Sequence, residues 1–434
     1  MTYLNSSDVI AQEKILGDIA LSGVLGADPE GFLVDPTSRH ITCPEILGVL
    51  PARVCTRPDP REAGVDTREQ PLVADGAQLE LHPDAGTCRQ YFIGRVRRAL
   101  LYAKLLANAY NLKFLVTPAI NVPRENMKQF LPGALECGCK PDWEAYTMKN
   151  TLENAPAFDT HFKRYGGGHI HMSISTIEQI FSECAPEIES YYPLLAILLD
   201  ATAGLYNVIT SPVPKLAAER RKLFGKAGTF RKQPWGIEYR TLDNSWLLHP
   251  KLFYATTSVI RFLSRVMRLS PRVCLEVVKE HAPALREIIN TCDQSAARAL
   301  WPKITGTLED GLKEFFKTCR YNNPPNLHTM EDSPSTYITV FDKFIKPEMT
   351  PEQEEPNWEK WCITDEDMIV KWTPPPPAPF GRQPSPNAEA KIYLSVQKEI
   401  KNLLSTLPEY KLSPDHGSHF CHGGMDEYSS HFFS

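Results

Sequence analysis

Tyr165-Gly166-Gly167-Gly168-His169-Ile170-His171-Met172-Ser173 is the stretch on which the reading of this chain turns. Three successive glycines let a ligand or a second backbone come close. A strand running on from them sets His169, His171 and Ser173 on one face. Neutral imidazole ligates metals and the charged form pairs with oxyanions, so His-x-His on a strand suits either task. A glycine-rich bulge with two internally satisfied histidines would look the same.

Working outward, Gly26-Ala27-Asp28-Pro29-Glu30 sets two carboxylates two residues apart within an apolar run. On a strand both leave the same face and repel each other unless a cation lies between them, and hard divalent cations take such oxygen ligands. A Gly-Asp-Pro turn at a strand edge is the bland alternative. Asp75-Gly76 launches a strand on which Gln78, Glu80 and His82 share one face, opposite Leu79 and Leu81. A solvent-exposed strand carries the same stripe. Downstream, Arg220, Arg221, Lys222, Lys226, Arg231 and Lys232 read as a basic loop spaced by Gly225 and Gly228. It leads into a strand on which Glu238 and Arg240 share a face. Such a loop is often merely solvated. Arginines also grip triphosphate oxygens through paired hydrogen bonds, and a glutamate suits the accompanying metal.

The patterning predicts strands over 23–34, 77–82, 112–117, 168–175 and 236–242, and helices over 90–109, 188–208, 250–268 and 271–289. No regular βαβ rhythm joins them, so the fold class is α+β with a mostly antiparallel sheet, covered by the helical block from 250 to 320. The apolar run 193–209 is broken by Asp200 and Asn207, and reads as a buried core helix rather than a membrane span. The domain reading is a folded α+β domain over 1–345, an acidic and then Pro-rich linker over 346–388, and an amphipathic helix with a His-rich tail over 389–434.

The chain has 434 residues, with 47 Lys+Arg against 52 Asp+Glu and a net charge of −5. That balance disfavours general nucleic-acid binding, which needs a basic excess. The first twenty residues lack the basic and apolar regions of a signal peptide, and eleven cysteines are scattered without pairing. A cytoplasmic location is expected, with no membrane association. Cys137 and Cys139 have no second Cys or His pair at zinc-finger distance.

The order and wording of these motifs resemble the phage-type carboxylate–amine ligases (amidoligases, type 2) of the glutamine synthetase-like superfamily, which includes the glutamate–cysteine ligases. The resemblance covers roughly 22–250, on GADPE at 26–30, DGAQLEL at 75–81, ECGCKPDWEAYT at 136–147, GGGHIH at 166–171 and FGKAGTFRKQPWGIEYRTLDNSWL at 224–247. It implies a curved antiparallel sheet with flanking helices, whose concave face holds divalent ions and ATP. Asp28, Glu30, Glu80, His169 and Glu238 match the metal-binding positions, although relatives often carry Glu where Asp28 stands. His171 matches the histidine that contacts nucleotide phosphates. Arg220, Arg221, Lys226 and Arg231 fall in the phosphate-contacting basic loop. Arg240 matches the arginine beside the transferred phosphoryl group, with Glu238 and Arg231 in the catalytic set. Glu136 and Asp142 belong to a motif of the phage-type group and receive no role.

The implied cofactors are ATP with Mg²⁺ or Mn²⁺, and the implied partners are a carboxylate and an amine substrate, in the host cytoplasm if the chain is phage-encoded. A homo-oligomer is compatible with the superfamily, where glutamine synthetase forms rings. Two other readings stay open: a phosphotransferase of the guanidino-kinase kind on the same fold, and a non-catalytic interaction or structural protein that kept it.

Overall fold

Ten consecutive residues, Leu25–Val34, form the strand β1, and later parts of the chain are laid along both of its edges. The computed structural model describes residues 24–49, 72–83, 85–86, 89–135, 142–150, 162–173, 191–233, 236–318, 334–350 and 353–358. Within these, β2 (Leu72–Asp75) and β3 (Gln78–Leu81) make a hairpin, and β4 (Lys113–Leu115) pairs with the end of β1. β5 (Ala119–Asn121) pairs with β8 (Lys163–Tyr165) in a separate small sheet. β6 (Trp143–Glu144), β7 (Lys149–Asn150), β9 (Gly168–Ser173), β10 (Thr229–Gln233) and β11 (Gly236–Tyr239) complete the main sheet. Its order is β2-β3-β1-β9-β11-β10-β6-β7, with antiparallel neighbours throughout.

Register turns this order into two chemically different faces, because residues directly opposite on antiparallel strands project to the same side. Glu30 lies opposite Glu80, Asp28 opposite His169, His171 opposite Glu238, and Glu238 opposite Arg231. The alternate residues Ala27, Ile170, Met172, Ile237, Tyr239 and Phe230 line the other face, and all are buried.

The principal helices stack over that apolar face in layers. They are α1 (Arg89–Ala109), α2 (Tyr191–Thr210), α3 (Pro214–Arg221), α4 (Pro250–Leu269), α5 (Pro271–Thr291) and α6 (Gln294–Thr318). Tyr192 of α2 stacks on Phe230 at 6.4 Å between ring centroids, and Ser264 of α4 lies against Met172. Phe92 of α1 packs on Phe253 of α4 at 5.2 Å. α2 is long and apolar enough to cross a membrane, but it is wholly buried within the fold, as the core-helix reading expects. It carries a π-helical turn at Asp200–Gly204.

The α+β class and the antiparallel sheet are as expected from the sequence. Each expected strand forms with trimmed ends, and each expected helix forms, the last three running one or two residues past their expected C-terminal ends. The helical block differs in one respect. α4 reaches the sheet through Ser264 on Met172, whereas α5 and α6 pack chiefly on α2 and on each other, one layer further out. The linker boundary at 346 also moves. Val116 N–H donates to the Glu354 carbonyl (2.7 Å), Asn357 N–H to Leu248 (3.0 Å), and the Trp358 indole to Leu247 (2.6 Å). Trp358 is buried beside Phe253, so the packed body continues through that residue, acidic composition notwithstanding. The Pro-rich spacer and the helix and tail over 389–434 lie outside the described residues, as does Glu136.

Candidate active site

The polar face gathers Asp28, Glu30, Glu80, His169, His171, Arg231 and Glu238 by register, and Arg240 as the residue that follows β11. Two sets of donor atoms result. Asp28, His171 and Glu238 each offer a ligand atom within 4.8 Å of the others, and so do Glu30, Asp75 and Glu80. The glycine run makes room for this. A Cβ on Gly167 would stand 2.4 Å from His169 Nε2, so the imidazole lies directly over bare backbone. The Gly167 N–H donates to Glu30 Oε2 at 2.7 Å and fixes that carboxylate.

These residues fit divalent cations on their own chemistry. Asp28 Oδ1 faces His169 Nδ1 at 3.3 Å and His171 Nε2 at 3.1 Å. The buried Asp28 Oδ1 and His169 Nδ1 complete no hydrogen bond among the described residues, as expected of two electron-pair donors aimed at a common cation. In the second set, burial raises Glu30 to about 8, with Asp75 and Glu80 adding repulsion. Burial with the charges of Asp28 and Asp75 pushes Glu80 well above the usual carboxylate range. Burial raises Asp75 also, against the pull of Arg240. An all-carboxylate set suits Mg²⁺ or Mn²⁺, and the set containing an imidazole suits Mn²⁺ or another transition ion. Asp28 behaves differently: burial works against its ionised form, but His171 and His169 together hold it well below its ordinary value.

The arginines close the other side of the face. Glu238 is buried, and Arg231 Nη1 donates to its Oε1 at 3.2 Å, while Arg240 Nη1 contacts the same oxygen. Gln233 donates to Oε2 at 2.6 Å. Burial raises the Glu238 carboxyl, but Arg240 and Arg231 bring it below its usual value.

Three assignments made from sequence need correction. The basic loop is not one element: Arg220 and Arg221 end helix α3, Arg231 and Lys232 lie on β10, and Lys226 sits on the turn between. Arg220 is buried, and donates to the backbone carbonyls of Thr241 and Arg240 at 3.3 Å. Gly225, at φ +62°, leaves the space its guanidinium occupies. Arg221 is buried against Asn207 Oδ1 (2.9 Å) and Asp243. Both are committed to internal partners beneath the face, so neither is a phosphate ligand here. The Lys226 side chain makes no ion pair with the polar face among the described residues. Finally, the metal role given to His169 and the phosphate role given to His171 do not separate in space: both imidazoles meet Asp28, His169 Nδ1 also lies 4.0 Å from Glu238 Oε1, and His171 joins Asp28 and Glu238 in a donor set.

Two residues without a sequence-based role stand in the site. Asp75 joins Glu30 and Glu80 through the β2–β3 hairpin. Asp142, just before β6, receives Arg231 Nη2 at 2.9 Å and Arg240 Nε at 3.0 Å. The signal for Asp75 was its place opposite Gln78 across the Asp-Gly turn. For Asp142 it was membership of the 136–147 motif. Gln78 donates instead to the Tyr165 carbonyl (3.0 Å), a structural contact.

Residues 153–311 match the family model described as phage phiEco32-like COOH.NH2 ligase-type 2. This is the family that the motifs resemble, and the match spans β8 to α6, including His169, His171, Arg231, Glu238 and Arg240. No curated protein matches the chain significantly.

Proposed function

We propose that this protein is an ATP-dependent carboxylate–amine ligase, built on a glutamine synthetase-like sheet and working with two or more divalent cations. The observation that carries the reading is a single sheet face holding two adjacent donor sets for cations beside an arginine pair. The match of 153–311 to a COOH.NH2 ligase family supports the carboxylate–amine part of it.

The chain's own residues have definable tasks in such a reaction. The donor sets Asp28–His171–Glu238 and Glu30–Asp75–Glu80 would hold the cations, which supply charge compensation for ATP phosphates. Arg231 and Arg240 would grip the transferring phosphoryl group, since guanidinium pairs with phosphate oxygens in a planar, two-point fashion. A substrate carboxylate oxygen attacks the γ-phosphorus and ADP leaves with the electron pair of the broken P–O bond. The resulting acyl phosphate is attacked by an amine, giving an amide, inorganic phosphate and a proton. Positioning and preorganised charge carry most of such a barrier.

Hydroxylamine tests this without knowledge of the natural amine. The protein with ATP, Mg²⁺ or Mn²⁺ and a panel of amino acids, short peptides and dicarboxylates should yield a hydroxamate, whereas a phosphotransferase leaves a stable phosphorylated product. Glu238→Gln and Arg240→Ala should each lower that rate by about 10²–10³ or more while the protein stays folded, as loss of a charge contact to a transition state does. Near-normal hydroxamate formation by either variant would remove the assignment.

A further inference from the structure

We propose that Asp142 is a positioning residue, holding Arg231 and Arg240 from behind so that Glu238 is free to serve a cation while the two guanidinium groups stay aimed at phosphate. The inference rests on the ligase reading above. Its starting point is a closed ring of charge in which two guanidinium groups are shared by two carboxylates. Asp142 Oδ1 takes Arg231 Nη2 at 2.9 Å and Oδ2 takes Arg240 Nε at 3.0 Å. Glu238 takes Nη1 of both. Glu238, however, is also a member of the donor set with Asp28 and His171. One carboxylate cannot neutralise a divalent cation and two guanidinium groups equally well, so engagement of Glu238 by a cation weakens its hold on the arginines. Two guanidinium groups from neighbouring strands then repel, unless another anion stands between them, and Asp142 does.

The anchor is built to stay still. Asp142 is buried and leads straight into β6, which pairs with β10 at Trp143–Phe230 and Glu144–Thr229. Behind it, Arg286 of α5 pairs with Glu144 at 2.7 Å, and the Tyr146 hydroxyl donates to Asp200 Oδ2 at 2.9 Å. The segment is thus held by α2 and α5 while its first carboxylate reaches the polar face. Arginines oriented in advance lose less freedom on binding an anion, which favours affinity and rate together.

Titration calorimetry tests this with two probes, a non-hydrolysable ATP analogue with Mg²⁺ and inorganic tripolyphosphate, alongside melting temperatures. Asp142→Asn should keep the melting temperature close to that of the unaltered protein yet bind both probes about tenfold or more weakly, as expected for loss of charge-assisted hydrogen bonds. Asp142→Glu should recover most of the affinity. Tyr146→Phe loosens the same segment from behind, keeps the ring that Arg286 covers, makes no change at Arg231 or Arg240, and should lower the melting temperature with affinity retained. Unaltered affinity in Asp142→Asn and Asp142→Ala overturns the proposal. So does an equal affinity loss in Tyr146→Phe, which would reduce Asp142 to a structural residue. Tripolyphosphate binding without analogue binding in the unaltered protein would sink the nucleotide reading alone, with Asp142 still decided by tripolyphosphate. Binding of neither probe overturns both.

Discussion

Asp75 closes β2 opposite Gln78, and the Asp-Gly turn folds its carboxylate onto the face that holds Glu30 and Glu80. Three acids at that spacing destabilise one another while no cation is bound, and supply a donor set when one is. Asp75→Asn should therefore act with opposite signs in the two states. Without divalent ions it should raise the melting temperature by relieving repulsion, and the Mn²⁺ affinity should fall by about tenfold or more. Melting curves with chelator and with graded Mn²⁺ check this, and a variant that keeps the full Mn²⁺-induced rise would show Asp75 to be a bystander. Asp28, Glu30, Glu80 and Glu238 were legible because period-two alternation aims them to one side of predicted strands. Asp75 was not, because a residue in an Asp-Gly turn reads as a turn former until its hairpin is closed. Arg220 and Arg221 misled for the converse reason: clustered cations look solvated or phosphate-seeking, and only packing reveals two guanidinium groups folded under a sheet.

At the scale of elements, the strand carrying Glu238 is braced from its apolar side. The Tyr239 hydroxyl donates to Asp200 Oδ1 and that of Tyr146 to Oδ2, across the π-helical turn of α2. A Cβ on Gly204 would lie 2.7 Å from the Tyr239 oxygen, so the turn and its glycine let the phenol approach the helix. Sequence reading treated Asp200 only as a polar break in an apolar run. Its actual place is a buried junction between helix and two segments of the sheet. Asp200→Ala leaves both phenols without their acceptor and should cost about 2–4 kcal/mol of stability, the range for orphaned buried polar groups. Asp200→Asn keeps one acceptor oxygen and should cost less. Urea unfolding of the two variants decides the matter, and an alanine variant as stable as the unaltered protein would show that the junction braces nothing. The main strands and helices were legible from their periodicity. β6, β7 and β10 were not, because two-residue strands have no measurable period and β10 lay hidden within the run of cations.

For the whole molecule, the acids of the polar face make stability a function of pH and of divalent ions together. Burial, with repulsion from Asp75 and Glu80, raises Glu30 from 4.5 to about 8, and burial with the Asp28 charge raises Glu80 and Asp75. Burial also takes Asp200 from 3.8 to about 7. A carboxyl whose folded value exceeds its unfolded one binds more protons in the native state between those values, so stability falls as pH rises through that window. Asp28 and Glu238 are shifted down, and their contributions change only below their ordinary values, outside it. His169, shifted down, adds stability as pH rises below its ordinary value of 6.5, whereas His171, shifted up, loses it as pH rises above that value. The metal-free protein should therefore melt at progressively lower temperature from about pH 6.5 to about pH 8, where His171 and the raised carboxyls act in the same direction. Divalent cations bind the ionised carboxylates, so their stabilisation grows over the same range. Saturating Mn²⁺ should flatten or reverse the slope, leaving the Asp200 portion, which no cation on the opposite face can relieve. Melting temperatures across that range, with chelator and with Mn²⁺, provide the check. A chelated profile that rises with pH would contradict the raised carboxyls, and parallel profiles would mean that the acids of the polar face hold no cation.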